Sequence, residues 1–202
     1  PAWESGPEWP VIQPGPAFKL PKSAATKKAS ALKTCVVLPD MQIGYFRNKE
    51  GDLEPTHDET AISLSLAITK DINPDLVVLV GDNLDLPELG KYRLSPAFQQ
   101  TTQAAVDRAT EMCAQLRSAA PGAEIKWLAG NHEERLTNFM LDNAAAAFGI
   151  RAGKRPDSWP VLSVPNLCRL DDFGIDYLAG YPASCVWINE HLKVIHGDLV
   201  RS

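Results

Sequence analysis

No apolar run in the sequence approaches the ~18 residues that a membrane-spanning helix needs; the clean run Leu76 to Val80 is short. No basic stretch followed by an apolar one opens the chain, so no secretory leader is expected and a cytoplasmic setting is. Cys-x-x-Cys is missing too. The four cysteines, Cys35, Cys113, Cys168 and Cys185, stand far apart, which leaves a zinc ribbon or a thioredoxin-type motif unsupported. Reduced, buried thiols are the expectation, with disulfides the alternative. Positive charge is in short supply. The 20 Lys and Arg against 25 Asp and Glu give a net charge of −5, which does not suit a protein that coats a long polyanion. An enzyme handling one phosphate at a time is not excluded. At 202 residues and 45% hydrophobic content, the chain suits one domain with an extension.

What is present divides in two. Residues 1–32 hold Pro1, Pro7, Pro10, Pro14, Pro16 and Pro21, then Lys19, Lys22, Lys27 and Lys28. Proline at that density breaks regular elements, so an extended Pro/Lys-rich arm is expected, with Trp3 and Trp9 able to pin it to the domain. Residues 33–202 read as the folded domain. Cys35 to Leu38 is a short apolar run ended by Pro39, hence a buried strand. Thr56 with Glu59 has the form of a capping box, and Ile62, Leu66 and Ile68 follow at near-helical spacing up to Asn73-Pro74. Leu76 to Val80 is a second strand. Ser95-Pro96 reads as the start of a helix reaching Ala119, and Ile125 to Leu128 as a third strand before a helix from His132 to about Ala147. Gly149 to Pro165 is a loop, either a substrate lid or a solvated insertion. Ile175 to Leu178, Ser184 to Asn189 and Leu192 to Ile195 read as later strands at hairpin spacing. Strand and helix in alternation mean a parallel sheet, whose ligands lie at the carboxyl ends of its strands.

Those ends carry the chemistry. Asp40 and Gln42 follow the first strand. Asp82 and Asp85 follow the second, within Gly81-Asp82-Asn83-Leu84-Asp85. Asn131 and His132 follow the third, within Gly130-Asn131-His132-Glu133, and His196-Gly197-Asp198 follows a later one. Any one of these is an ordinary turn residue. Together they bring carboxylates, amides and imidazoles to one edge, a donor set for divalent metals of the harder kind, with no thiolate.

This ordered set resembles the calcineurin-like metallophosphoesterase superfamily, over about Lys33 to Asp198. The resemblance implies a four-layer α/β/β/α sandwich and two divalent metals, with Mn²⁺ favoured and Fe²⁺, Mg²⁺ or Zn²⁺ able to serve. By motif, Asp40 would ligate the first metal, with Gln42 a further ligand or the holder of a metal-bound water, Asp82 would bridge, and Asn131 and His196 would take the second. His132 would be catalytic, at the phosphate or the leaving oxygen. Asp85 and Glu133 would support the ligands, with exposed turn and helix positions the plainer alternative; Asp198 would orient His196 or cap a turn. Two departures stand out. Asp40-Met41-Gln42 replaces the family's Asp-x-His, which implies looser binding of the first metal. The closing Gly-His-x-His is missing, as if the chain were cut before it. His57 and His191 lack that context and are expected at the surface.

The function that follows from the resemblance is a metal-dependent phosphoesterase, of a type met in phages and bacteria, in which hydroxide shared by the metals attacks in line. Small diesters such as 2′,3′-cyclic nucleotides are the favoured substrates. A nuclease or DNA-repair subunit acting on nucleic-acid ends, and a degenerate binding scaffold, are the competing readings. Arg93, Arg135, Arg151 and Arg155 are candidates for the phosphate, and Trp159, Tyr181 or Trp187 for a base, unless they are core aromatics.

Overall fold

The computed structural model describes residues 33–197, so the 1–32 arm and Asp198 lie outside the described residues. Four strands form a parallel sheet in the order β1 (Cys35–Leu38), β4 (Leu76–Val80), β5 (Glu124–Leu128), β6 (Ile175–Leu178). The register sets Leu38 beside Leu79, Val80 beside Leu128, and Leu128 beside Leu178. β2 (Tyr45–Arg47) and β3 (Leu53–Pro55) make one antiparallel hairpin, and β7 (Cys185–Trp187) and β8 (Lys193–Ile195) another. The helices are α1 (Glu59–Ile72), α2 (Thr102–Ala119), α3 (Glu133–Asn143) and the single turn α4 (Val164–Leu167). Among the described residues no helix is long and apolar enough to cross a membrane.

The strand order follows the chain, and right-handed crossovers then put the connecting helices on one face of the sheet. The packing agrees. Val36, Leu38, Val77, Leu79, Ile125, Trp127 and Ile175 share a core with Ile62 of α1, with Val106, Ala109, Met112, Cys113 and Leu116 of α2, and with Leu136 and Met140 of α3. Side chains alternate along a strand, so Val78, Val80 and Leu128 point the other way. They meet Val186 of the β7–β8 hairpin, with Ile188 and Val194 beside them. β4 is covered on both sides, which is why its sequence is an unbroken apolar run. The hairpin covers this second face only in part: Val37 remains 43% exposed. All four cysteines are free; Cys113 and Cys168 are buried, Cys35 and Cys185 half-buried.

Three local expectations change. α1 is capped by Asp58, whose carboxylate accepts from the amides of Thr60 and Ala61, and not by Thr56. Glu59 is thereby turned toward α2, where Arg108 grips both its oxygens at 2.7 Å; that grip, with a bond from His57, outweighs burial and brings the Glu59 carboxyl down to about 2. β6 lies in the parallel sheet beside β5 and not in a hairpin, because α3 and a long loop supply a crossover.

The third change is at α2. Pro96–Phe98 is a separate 3₁₀ turn and α2 starts only at Thr102. The cap comes from upstream: the Glu88 carboxylate accepts from the amides of Gln100, Thr101 and Thr102, at 2.7, 2.9 and 2.9 Å, and from the Thr102 hydroxyl at 2.7 Å. Burial pushes the Glu88 carboxyl up, but these bonds prevail and hold it below the ordinary range. Its contribution is therefore present above the ordinary carboxylate pKa and fades as pH falls through the lowered value. Glu88→Ala is expected to cost about 1–2 kcal/mol at pH 7. Urea melts of both proteins should show that gap narrowing in acid; a gap independent of pH would contradict the assignment.

Candidate functional site

Past the carboxyl ends of β1 and β4 the chain continues in parallel. The Gln42 amide donates to the Asp82 carbonyl at 2.9 Å, Ile43 to Asn83 at 2.8 Å, and Asp85 to Ile43 at 3.0 Å. This ladder sets Asp40 and Gln42 on the same edge as Asp82. Asp40, Gln42 and Asp82 all lie in the left-handed region, with φ of 47°, 47° and 49°. Each such residue costs of order 1 kcal/mol, a strain that concentrates at functional sites.

Two glycines let the strand ends approach. A Cβ on Gly81 would stand 2.7 Å from the Gly130 Cα and 2.9 Å from His196 Nδ1, and one on Gly130 would collide with Asp82 Oδ1. Between these strands sits Glu133, 2% exposed. One of its oxygens accepts from the Asp82 and Gly130 amides, both at 2.8 Å. The other accepts from Asn83 at 2.8 Å, from Leu84 at 3.4 Å and from the Trp127 indole at 3.3 Å. Burial drives the Glu133 carboxyl up, these amides oppose it, and the Asp82 charge adds to the rise. Glu133 is thus no exposed helix residue: it holds the site's backbone together.

Asp82 is 5% exposed. Its Oδ1 accepts from the His132 amide at 2.9 Å, at the N-terminus of α3. His196 comes from the end of β8. Its Nδ1 lies 2.7 Å from the Val80 carbonyl, and Nε2 lies 3.1 Å from Asn131 Oδ1 and 3.6 Å from Asp82 Oδ1. The carbonyl takes the Nδ1 proton, so a neutral ring turns its Nε2 lone pair toward two oxygens. Such an arrangement is satisfied by a second ring proton, by the Asn131 NH₂ turned toward the ring, or by a cation. Ligands held ~2.1 Å from one cation at right angles are about 3.0 Å apart, close to the spacing seen. Asp82, Asn131 and His196 therefore fit a metal ion. Asn83 next to Asp82 is fully buried, and neither of its amide atoms has a partner among the described residues. The Asp40 carboxylate is exposed and forms no hydrogen bond or ion pair among the described residues. Asp40 and Gln42 reach the edge by backbone alone, and among the described residues no three His, Cys, Asp or Glu side chains assemble as a metal-binding group.

His132 stands beside this set. Its Nε2 is 3.8 Å from Asp82 Oδ2 and 2.8 Å from Arg135 Nη2; its Nδ1 is 3.1 Å from Asp85 Oδ1, off the line of a good hydrogen bond. Arg135 also donates to the Asp85 carbonyl at 2.6 Å and approaches its carboxylate at 3.3 Å. His132, against the effect of burial and with help from Arg135, holds the Asp85 carboxyl below its usual range.

Of the four arginines singled out in the sequence, only Arg135 is placed at the cluster by these contacts; Arg93, Arg151 and Arg155 are exposed on loops. Of the aromatics, Tyr181 packs edge-on against His196 at 5.5 Å. Trp159 bonds Asp171 instead, and Trp187 is exposed under Lys193. His191 is at the surface as expected. His57 is not: it is buried, with Nε2 2.8 Å from Glu59 and Nδ1 2.9 Å from the Gly44 carbonyl. Its burial depends on residues far along the chain, which no local pattern shows. A cavity of about 960 Å³ lies between α2, α3 and α4, lined by Val106, Leu136, Phe139, Met140 and Leu167 among others, and by none of the cluster's side chains.

Neither a protein-family model, nor a curated protein, nor a solved structure matches this chain.

Glu133→Gln would set an amide NH₂ against backbone N–H donors. The expected cost is about 3 kcal/mol, since a buried charge-assisted set is broken. A denaturation midpoint unchanged from wild type would show that Glu133 does not hold the strand ends.

Proposed function

We propose that the protein is a divalent-metal-dependent phosphoesterase. The observation that carries this is the meeting of the Asp82, Asn131 and His196 donors at the strand ends, with His132 alongside. Asp82, Asn131 and His196 would hold one ion, and Asp40 and Gln42 would complete a second position with Asp82. When bound, such ions supply Lewis-acid charge at phosphoryl oxygens and a water nucleophile at neutral pH. Gln42 is a neutral oxygen donor, weaker than imidazole toward late transition metals, so the Asp40–Gln42 position would be the looser of the two and would favour Mn²⁺ or Mg²⁺.

The chain's own residues do the rest. The α3 N-terminus faces the same edge and favours an anion there. His132 presents Nε2 to the reacting side, while Asp85 beside Nδ1 orients the ring and stabilises it when it carries a proton for the leaving oxygen. The same reading extends the fold to a four-layer α/β/β/α sandwich with the β7–β8 hairpin as the beginning of the second sheet. Exposed Val37, and Trp187 at 59% exposure, support it. The net charge of −5 favours a small phosphodiester, such as a 2′,3′-cyclic nucleotide, over long duplex DNA.

Turnover of bis-p-nitrophenyl phosphate and p-nitrophenyl phosphate, with Mn²⁺ and with EDTA, tests the reading. Metal-dependent hydrolysis is expected, faster on the diester. Asp82→Ala should abolish it, and His132→Ala should lower kcat by about 10²–10⁴-fold. A folded protein inert with every divalent metal would leave the binding scaffold as the better account.

A further inference from the structure

Arg135 occupies an unusual position for a charged side chain. A guanidinium carries five donors, no acceptor, and a charge it does not lose. Here one terminal nitrogen points at His132 Nε2, 2.8 Å away, while the other holds the Asp85 carbonyl at 2.6 Å. Three residues along a helix place two side chains on one face, so Arg135 lies against the ring of His132.

The contact bears on where the His132 proton sits. Since Arg135 can only donate, Nε2 accepts, and the ring proton lies on Nδ1, 3.1 Å from Asp85 Oδ1. In this arrangement the Nε2 lone pair is occupied and carries no proton. The one ring atom on the reacting side, 3.8 Å from Asp82 Oδ2, is capped by the arginine. Among the described residues the guanidinium has a single carboxylate within reach, Asp85 at 3.3 Å. The neighbouring Glu133 is committed to backbone amides. A neutral imidazole nitrogen is a poor partner for a guanidinium beside a phosphate, which offers two charged oxygens to the fork.

We propose that Arg135 is the residue that grips the unesterified oxygens of a substrate phosphoryl group, that it is held on His132 and Asp85 until substrate arrives, and that its transfer to the phosphate frees the His132 Nε2 lone pair to take up a proton from water and pass it to the leaving oxygen. The inference rests on the phosphoesterase reading for its substrate. It adds to that reading the clamp and a coupling: the anion that is bound also uncaps the catalytic ring.

The test uses the full chain with Mg²⁺ and inorganic phosphate as the probe, with ¹⁵N-labelled histidine reporting on His132. In wild type, the free protein should show the Nδ1–H tautomer with Nε2 hydrogen-bonded, and phosphate should shift the Nε2 signal. In Arg135→Gln, phosphate should bind at least about tenfold more weakly, and KM should rise by a similar factor with a smaller change in kcat, as loss of a charge-assisted fork implies. Arg135→Lys should recover only part of this, because a point charge does not replace the fork. Phosphate affinity and KM within twofold of wild type, in a variant that melts normally, would overturn the clamp. So would an unstable Arg135→Gln whose stability alone is restored by Arg135→Lys while phosphate binding never depended on the residue. Phosphate binding that depends on Arg135 without turnover on any ester would contradict the phosphoesterase reading and leave the clamp. Turnover with phosphate binding indifferent to Arg135 would do the reverse.

Discussion

Five donors converge on the buried Glu133 carboxylate: the amides of Asp82, Asn83, Leu84 and Gly130 and the Trp127 indole. A carboxylate in that setting is costly to bury and is retained only because its lone pairs are satisfied. What it gains is geometric. β4 and β5 end side by side, Gly81 against Gly130, with no room for a side chain at either glycine. Asp82 then projects from a backbone at φ 49°, its carboxylate held by the His132 amide at 2.9 Å. Positioned this way, Asp82 is within reach of residues from β8 and α3 that are far from it in sequence.

Electrostatics explains why so many polar groups share one edge. His196 is tied at Nδ1 to the Val80 carbonyl, which directs its second nitrogen at Asn131 and Asp82. Lone pairs meeting without a proton between them repel; a cation turns the same geometry into attraction. The opposite pattern holds one residue further along α3's entrance. There Arg135 and Asp85 supply the charges, and His132 lies between them. The two imidazoles thus sit in opposite environments, and the proposed division between a ligand and a proton carrier rests on that contrast.

Much of the frame was legible in the sequence because its causes are local. β1, β4 and β5 are short apolar runs since the sheet buries them, and the polar residues after them fall on one edge because parallel strands end together. The parts that were not legible depend on distant partners. α2 begins at Thr102 because Glu88, fourteen residues earlier, takes its first amides. His57 is buried by Gly44 and by the Glu59–Arg108 pair, and β6 joins the parallel sheet through a register no hairpin spacing reveals. Glu133 could be read as a supporting acceptor or as an exposed helix residue, and its actual partners stayed hidden, since its donors on the Asp82 strand lie about fifty positions away. Arg135 stood in the sequence as one arginine among four, with its place against His132 shown only by the fold.

The central claim is that Asp82, Asn131 and His196 form a cation site. Titrating Mn²⁺ into the protein and following the free-ion signal by electron paramagnetic resonance tests it without any substrate. The account predicts a site that takes up Mn²⁺ in wild type and in His132→Ala, and that is lost in Asp82→Ala and in His196→Ala, each still folded. Mn²⁺ uptake indifferent to Asp82 and His196 would contradict it.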